Sequence, residues 1–339
     1  MDMTVKYLVI SFYSIINIGL LCYNFSAFFQ VREIKMEELT KCALFTFIPV
    51  FTFGFLGNIL SLYVYTRPSM RKSSVSFLLS SLSICHIFIL LSASGSFLTD
   101  YLQFYVLART VFASSTDIFF FFSHYMMVLI AIERWIAVCR PLQARVWCSL
   151  RRTIRAVELL AVVSVLTNCP MTVYFYSAFA IVEDYNNNVP TDLESFFLGY
   201  RRVLKVCFVN FLPFVIIFIA SLLVILKLRE ARRSRSNMTS TQKKEQQTTR
   251  MLLSVTILFG VCHLYSFLMN LAWIINVITD LDMSVFFQHY ISTVLVFMHI
   301  SATFFNYYAF SIKFRTILHE FLMRPCVLLK RSRNTQHPQ

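Results

Sequence analysis

Two kinds of residue in this chain could do chemistry, and neither makes an enzyme. At the end of a long apolar run stands Ala131-Ile132-Glu133-Arg134-Trp135-Ile136-Ala137-Val138-Cys139-Arg140-Pro141-Leu142. An arginine at the edge of an apolar layer needs a partner, and the adjacent Glu133 supplies one while leaving the guanidinium able to exchange it for another. That is the chemistry of a switchable contact, in which no covalent bond is made. The second kind is the titratable group set inside an apolar run: Asp117, His86, His124, His263 and His299. Ionisable groups are costly in such surroundings and are candidates for function by default. Paired carboxylates, a nucleophile with its base and a glycine-rich phosphate loop are all missing from the pattern. The 9 Cys are scattered without a CxxC or a zinc-like spacing, which reads as small apolar filler. The sequence therefore predicts no enzyme, no metal and no cofactor.

The elements that must hold these residues are membrane spans. Of 339 residues 57% are hydrophobic and 14% charged, with a mean hydropathy of +0.64, which excludes a water-soluble globule. The 36 Phe and 16 Tyr against 6 Gly exclude disordered and collagenous chains. A helix crosses the hydrocarbon layer in about 20 residues because each rises about 1.5 Å. Eight stretches qualify or nearly do: 7–29, 43–66, 75–98, 108–135, 154–177, 203–228, 251–277 and 288–312. The first differs from the rest, lying close to the N-terminus behind Lys6 and before the glycosylation triplet Asn24-Phe25-Ser26. It reads as a signal peptide or a signal anchor over residues 1–30, followed by an extracellular segment 31–42.

Charge orients the remaining spans. Most of the 31 Lys and Arg fall in alternate loops, with Arg67, Arg71 and Lys72 in one, Arg140, Arg145, Arg151 and Arg152 in the next, then Arg229–Lys244, then Lys313–Arg333. Basic loops stay cytoplasmic, which places the tail 313–339 inside and Glu183, Asp184, Asp192, Glu194, Asp280 and Asp282 outside. The net charge of +14 thus belongs to topology and anionic membrane lipid, and no nucleic-acid partner is expected. The acidic outer loops, set among Tyr and Phe, would attract a cationic ligand.

The segment around Glu133-Arg134 resembles the E/DRY segment of rhodopsin-like (class A) G protein-coupled receptors. Further motifs arrive in the family's order: Gly57-Asn58, Leu82, Asn210-Phe211-Leu212-Pro213, Phe259-Gly260-Val261-Cys262-His263-Leu264-Tyr265 and Asn306-Tyr307-Tyr308-Ala309-Phe310. An amphipathic stretch, Lys313–Leu322, follows, as the membrane-surface helix of such receptors does. Arg67-Pro68-Ser69-Met70-Arg71 and the bulky Tyr307 resemble invertebrate and nematode FMRFamide-type peptide receptors. The resemblance implies an all-α, seven-transmembrane helix bundle over 43–312, multi-pass in the plasma membrane. It implies an extracellular peptide ligand, small, cationic and amidated, with a heterotrimeric G protein and arrestin as partners. It also implies that Glu133, Arg134 and Glu245 form an inactive-state lock, and that Asn58, His86, Cys262, His263, Tyr265, Asn306 and Phe310 form the activation core.

Several departures from the family change expectations. His86 stands where the family keeps an intramembrane Asp; an imidazole is no sodium ligand, and it should be a hydrogen-bonded core residue near Asn58, Ser123 and Asn306. His263 replaces Trp, while Tyr265 and Tyr307 replace Pro, so the usual kinks are not encoded. The outer disulfide is missing, since its position in the third helix is Arg109 and 178–200 hold no Cys; a substitute among Cys22, Cys42, Cys169 and Cys207 is not fixed by spacing. Asp117 lies about 25 Å from Arg134 along one helix at about 1.5 Å per residue, as a ligand contact or as a structural pair with Arg109 or a neighbouring helix's hydroxyl. Cys326 is a palmitoylation candidate beside basic residues, and Asn24 a glycosylation candidate. Two alternatives stay open: a nematode-type chemoreceptor for a small molecule, and a proton-coupled transporter or channel using His86, His124, His263 and His299.

Overall fold

The computed structural model describes residues 36–101, 106–183, 196, 199–200, 203–233, 240–279 and 285–335. All regular structure among them is helical: α1 Met36–Tyr65, α2 Ser74–Tyr101, α3 Val106–Cys139, α4 Pro141–Trp147, α5 Leu150–Glu183, a π-helical segment Leu204–Phe211 running into α6 Leu212–Arg233, α7 Ser240–Thr279, α8 Val285–Phe310 and α9 Ile312–Thr335. Seven of these are long and apolar enough to cross a membrane: Phe47–Tyr65, Ser74–Ser96, Val111–Cys139, Leu150–Pro170, Val206–Glu230, Gln246–Leu268 and Ile291–Phe310. These seven correspond to the seven later stretches expected from the sequence. The first stretch, 7–29, lies outside the described residues, as do Asn24, Asp184, Asp192, Glu194, Asp280 and Asp282.

The bundle closes on itself, with α5 set against α2 and α3. Neighbours pack in the order α1, α2, α3, then α6, α7 and α8, which closes back on α1, while α3 touches α2, α5, α6 and α7. The larger core cluster, including Leu79, Met127, Ile130, Leu252, Phe259 and Tyr307, fills the half that carries Arg134. A smaller one, Cys85, Ile89, Leu90, Phe297 and Ile300, fills the other half against Phe47, Phe51 and Phe120. Large apolar side chains such as Phe53, Leu159, Leu166 and Phe218 point outward and are more than half exposed. In water that belt would drive aggregation, whereas lipid is its solvent.

Local sequence explains the irregular places. Pro213 has no N–H and its ring crowds the carbonyl one turn back; the chain meets it with the π-helical segment, whose last turn has the Leu212 N–H donating to the Cys207 carbonyl. The disturbance at Pro213 is thus a widening of the helix, which then continues. No proline interrupts α7 or α8, as Tyr265 and Tyr307 lead one to expect. The turn from α8 to α9 is capped from within: Arg315 Nη1 donates to the Tyr308 and Ala309 carbonyls at 3.0 and 2.8 Å. Phe314 N–H donates to Ser311 Oγ at 3.2 Å, and Lys313 Nζ to the Ser69 carbonyl at 2.6 Å. The helix α4 was not expected; Pro141 starts it and Arg140 lies 5.4 Å over the Trp135 ring.

Close approach of α1 to α8 depends on small residues, as helix contacts in membranes do. A Cβ at Gly57 would stand 2.9 Å from Phe304 Cβ, near the root of that side chain, whereas one at Gly260 meets nothing nearer than Phe214 at 4.0 Å. Gly57→Ala is therefore expected to destabilise the bundle by about 1–3 kcal/mol through overpacking, and Gly260→Ala to be neutral or mildly stabilising. Thermal unfolding of the two purified variants checks this, and equal midpoints would refute it.

Candidate functional site

The end of α3 gathers the first constellation. Glu133 and Arg134 are 7% and 13% exposed, with Arg134 Nη2 3.4 Å from Glu133 Oε1. The same carboxylate oxygen accepts a hydrogen bond from Ser74 Oγ at the start of α2. One oxygen therefore serves two donors, while Glu133 Oε2 and Arg134 Nε have no partner. An ion pair at 3.4 Å with unsatisfied atoms on both sides is a contact that can be exchanged at low cost. Arg134 also lines a water-sized crevice of about 10 Å³ with Ser221 and Val224 of α6 and Thr249, Leu252 and Thr256 of α7, and Ser221 and Thr256 hydroxyls bond across it at 3.3 Å. Cys148, beyond α4, reaches back with Sγ 3.8 Å from the Glu133 carbonyl. Burial pushes its thiol up, Glu133 adds to the rise and Arg134 offsets part of it, so Cys148 is a packing thiol rather than a nucleophile.

The helix α7 starts at Ser240, so Glu245 lies on its first turns. Its side chain lies outside the described residues, and its pairing with Arg134 is not part of the observed geometry. Neither Ser74 nor Arg250, whose Nε is buried without a partner, was singled out from the sequence. Ser74 carried no signal beyond being a polar residue at the mouth of an apolar run.

The second constellation lies mid-bundle. His86, fully buried, bridges two helices: its Nδ1 is 3.2 Å from Asn58 Oδ1 and its Nε2 3.3 Å from Ser123 Oγ. Asn58 Nδ2 donates to the Gly54 and Ile300 carbonyls at 2.7 and 3.3 Å, so Oδ1 is the acceptor and His86 Nδ1 must carry the hydrogen. The expected neighbours Asn58 and Ser123 are there. Asn306 instead accepts from Ser254 Oγ at 3.3 Å and donates to the Ala302 carbonyl at 3.4 Å. Cys262 and His263 are 1% and 4% exposed, Phe310 is 8% exposed, and Tyr265 is half-buried. His263 stacks on Phe259 with centroids 4.0 Å apart. The set expected as an activation core is therefore spread over a column, with Asn58 and His86 bonded at one level and Asn306 at another.

Of the expected ligand-facing acids, Asp117 is half-buried on α3, about 10 Å beyond His124 at 1.5 Å per residue. The side chains of Arg109, Glu183 and Cys326 lie outside the described residues. Among the described residues no three His, Cys, Asp or Glu side chains are placed to hold a metal ion.

Over residues 57–306 the chain matches the 7 transmembrane receptor (rhodopsin family). It is 30% identical over 311 residues to the FMRFamide peptide receptor frpr-18 of Caenorhabditis elegans, covering 86% of this chain and 71% of that one. To the FMRFamide receptor of Drosophila melanogaster it is 25% identical over 286 residues, 78% of this chain and half of that longer protein. To a rhodopsin of the fish Myripristis berndti it is 24% identical over 259 residues, 71% of this chain and 70% of that one.

The His86 bridge makes a direct prediction. Replacing it with Leu strands Asn58 Oδ1 and Ser123 Oγ in an apolar core, a loss of about 2–4 kcal/mol, whereas His86→Asn keeps one donor and should lose less. Thermal unfolding in detergent measures both. Because the site holds a neutral ring, exchanging sodium for choline should leave the midpoint unchanged; stabilisation by sodium would contradict the geometry.

Proposed function

The chain belongs to the rhodopsin family of seven-transmembrane receptors, and we propose that it binds an extracellular amidated peptide and passes that event to a heterotrimeric G protein. As a member it is a multi-pass membrane receptor and no enzyme. The Arg134 end of the bundle is the cytoplasmic one on the charge argument, since Arg140, Arg145, Arg151, Arg152 and the basic stretch after α6 all lie there. The single observation that carries the reading is the loose, buried Glu133–Arg134 pair at 3.4 Å, facing α6 and α7 across a water-sized crevice.

In this reading Arg134 is held by Glu133 while the receptor is silent, and Ser74 fixes the carboxylate so that it can hold on with one oxygen only. Outward movement of α7 widens the crevice, and Arg134 turns from Glu133 toward the G protein. Glu245, at the start of α7, is the acid that would complete the lock from the moving side. Because α7 and α8 carry no proline, the movement is a rigid tilt of whole helices about the mid-bundle packing rather than flexing at a kink. At the other end Asp117, Glu183, Asp184, Asp192, Glu194, Asp280 and Asp282 would draw in a cationic peptide. The relatives named for FMRFamide support a ligand of that kind, an arginine followed by an amidated aromatic residue. Arrestin would compete for the Arg134 face, Cys326 would anchor α9 as a palmitoyl site, and Asn24 would be glycosylated.

The experiment is a G protein dissociation assay in transfected cells, challenged with a panel of amidated neuropeptides. Activation at micromolar or lower concentration by an Arg-Phe-amide class is expected, with about a hundredfold or greater loss in Arg134→Ala at equal surface display. A well-displayed receptor silent to the whole panel would overturn the peptide reading. Sensitivity at Asp117 with indifference to the outer-loop acids would point to a small buried ligand instead.

A further inference from the structure

Four helices each contribute one imidazole to the middle of the bundle: His86 from α2, His124 from α3, His263 from α7 and His299 from α8. They are 0%, 4%, 4% and 1% exposed. Ring centroids are 4.6 Å apart for His124 and His263, 5.2 Å for His263 and His299, and 5.9 Å for His86 and His299. Phe259 lies flat against His263 and edge-on to His124 and His299, at 5.2 and 5.4 Å. The receptor reading gives this cluster a place in the packing but no proton chemistry.

Hydrogen bonds fix where the protons are. His124 Nδ1 and His263 Nδ1 lie 2.7 and 3.0 Å from the Phe120 and Phe259 carbonyls. A carbonyl only accepts, so each Nδ1 carries hydrogen and each Nε2 presents a lone pair. His124 Nε2 and His299 Nε2 are buried with no partner. An orphaned polar nitrogen in an apolar core needs an explanation; here there are two in one cluster of rings, and the one on His124 is an acceptor. Among the described residues the nitrogens do not converge as a metal would require; a proton needs only one lone pair.

We propose that this cluster is a proton-binding site whose occupation disfavours the closed packing of α2, α3, α7 and α8. A hydronium ion gives its proton to an imidazole Nε2: an O–H bond breaks, an N–H bond forms, water is released and a cation remains. In the closed packing no neighbouring nitrogen is placed to take the new N–H, and the Phe259 face stabilises the charge only in part. Among the described residues, the titratable and charged groups around the cluster offer no counter-ion in contact with the rings. They are Cys85 on α2, Asp117 and the Glu133–Arg134 pair on α3, Cys262 and Tyr265 on α7, and Tyr307 on α8, while α1 presents the neutral Asn58. Asp117 is the nearest charged group on these elements, about 10 Å along α3. A cation there is paid for by admitting water, which requires the helices to part. The charged form therefore belongs to the opened arrangement, and acid shifts the population toward it. Two of those helices, α7 and α8, are the ones whose movement the receptor reading invokes, but the proton site stands without any peptide or G protein.

The test follows from two buried thiols next in sequence to two of the rings, Cys85 beside His86 and Cys262 beside His263, at 2% and 1% exposure, with exposed Cys169 and Cys207 in the same molecule as internal references. The full chain in lipid nanodiscs is treated with a small disulfide-forming reagent, and labelling at each cysteine is followed by mass spectrometry. The rate at Cys85 and Cys262 relative to the exposed thiols should rise about threefold or more between about pH 7.5 and about pH 5.5, the range in which an imidazole charges. In a His124→Asn, His263→Asn double variant the side-chain amides can still donate to the Phe120 and Phe259 carbonyls but take up no proton, and the rise should vanish. Should that variant fail to fold, His299→Asn alone should reduce the rise at least by half. The exposed His319, paired with Tyr308, is the control, and His319→Asn should leave the rise intact. A flat ratio in the parent chain, an equal rise in the cluster variants, or loss of the rise in His319→Asn would each overturn the proposal.

Discussion

Inside the hydrocarbon layer a polar group has only the protein to bond with, and each one left unsatisfied costs several kcal/mol. That constraint shapes the chain from the backbone outward. It requires the seven spans to be helices. It also accounts for the behaviour of their hydroxyls, which turn back onto their own helix: Ser61 to the Gly57 carbonyl, Ser83 to Leu79, Ser164 to Leu160 and Thr303 to His299, all at 2.7–2.9 Å. A serine bonded within its own helix asks nothing of its neighbours. Polar contacts between helices are thereby concentrated at a few levels, where they have the most effect on how the helices sit.

Three of these levels set how the helices sit. Near one end Ser74, Glu133 and Arg134 tie α2 to α3. Further in, Ser254 and Asn306 tie α7 to α8. In the middle, Asn58, His86 and Ser123 tie α1, α2 and α3, and Asn58 extends the tie to the Ile300 carbonyl of α8. The Asn58–His86–Ser123 bridge is saturated and the end level is not, since Glu133 Oε2 and Arg134 Nε are both orphaned. Saturated contacts hold helices together through a movement, while frustrated ones give way first. The pivot of the proposed activation thus sits at Asn58–His86 and its moving end at Arg134, an order set by hydrogen-bond satisfaction rather than by proline.

Much of this was legible in the sequence. The spans follow from composition and length, the Glu133-Arg134 pair from its place at the edge of an apolar run, and the Asn58–His86–Ser123 bridge from the family's order of motifs. What the sequence withheld was rotation. A helix such as α2, Ser-Val-Ser-Phe-Leu-Leu-Ser-Ser-Leu-Ser-Ile-Cys-His-Ile-Phe-Ile-Leu-Leu, is apolar nearly all the way round, because one side meets lipid and the other meets protein. Amphipathic periodicity, which fixes the inward face of a soluble helix, is therefore nearly silent here. Four scattered histidines could be seen as intramembrane groups, but not that their helices turn all four toward one point. Ser74 was invisible for the same reason, and the π-helical segment before Pro213 because a proline signals a disturbance without signalling its form.

The missing prolines and the histidines bear on the same mechanical problem. A receptor whose α7 bends at a proline can open one end while the rest stays packed, and the bend absorbs the movement. An unbroken α7 from Ser240 to Thr279 moves as a lever, so displacement at Arg250 is transmitted through Phe259 and His263 to whatever they touch. What they touch is His124 and His299. Flat rings meeting edge to face can slide and tilt by an ångström without losing contact, as interlocked branched aliphatic side chains cannot. A cluster of small aromatic rings at the fulcrum is then a bearing for a stiff helix. Its weak point is that its nitrogens are polar, so the fulcrum that permits the movement is also the place where water and protons have most to gain by entering.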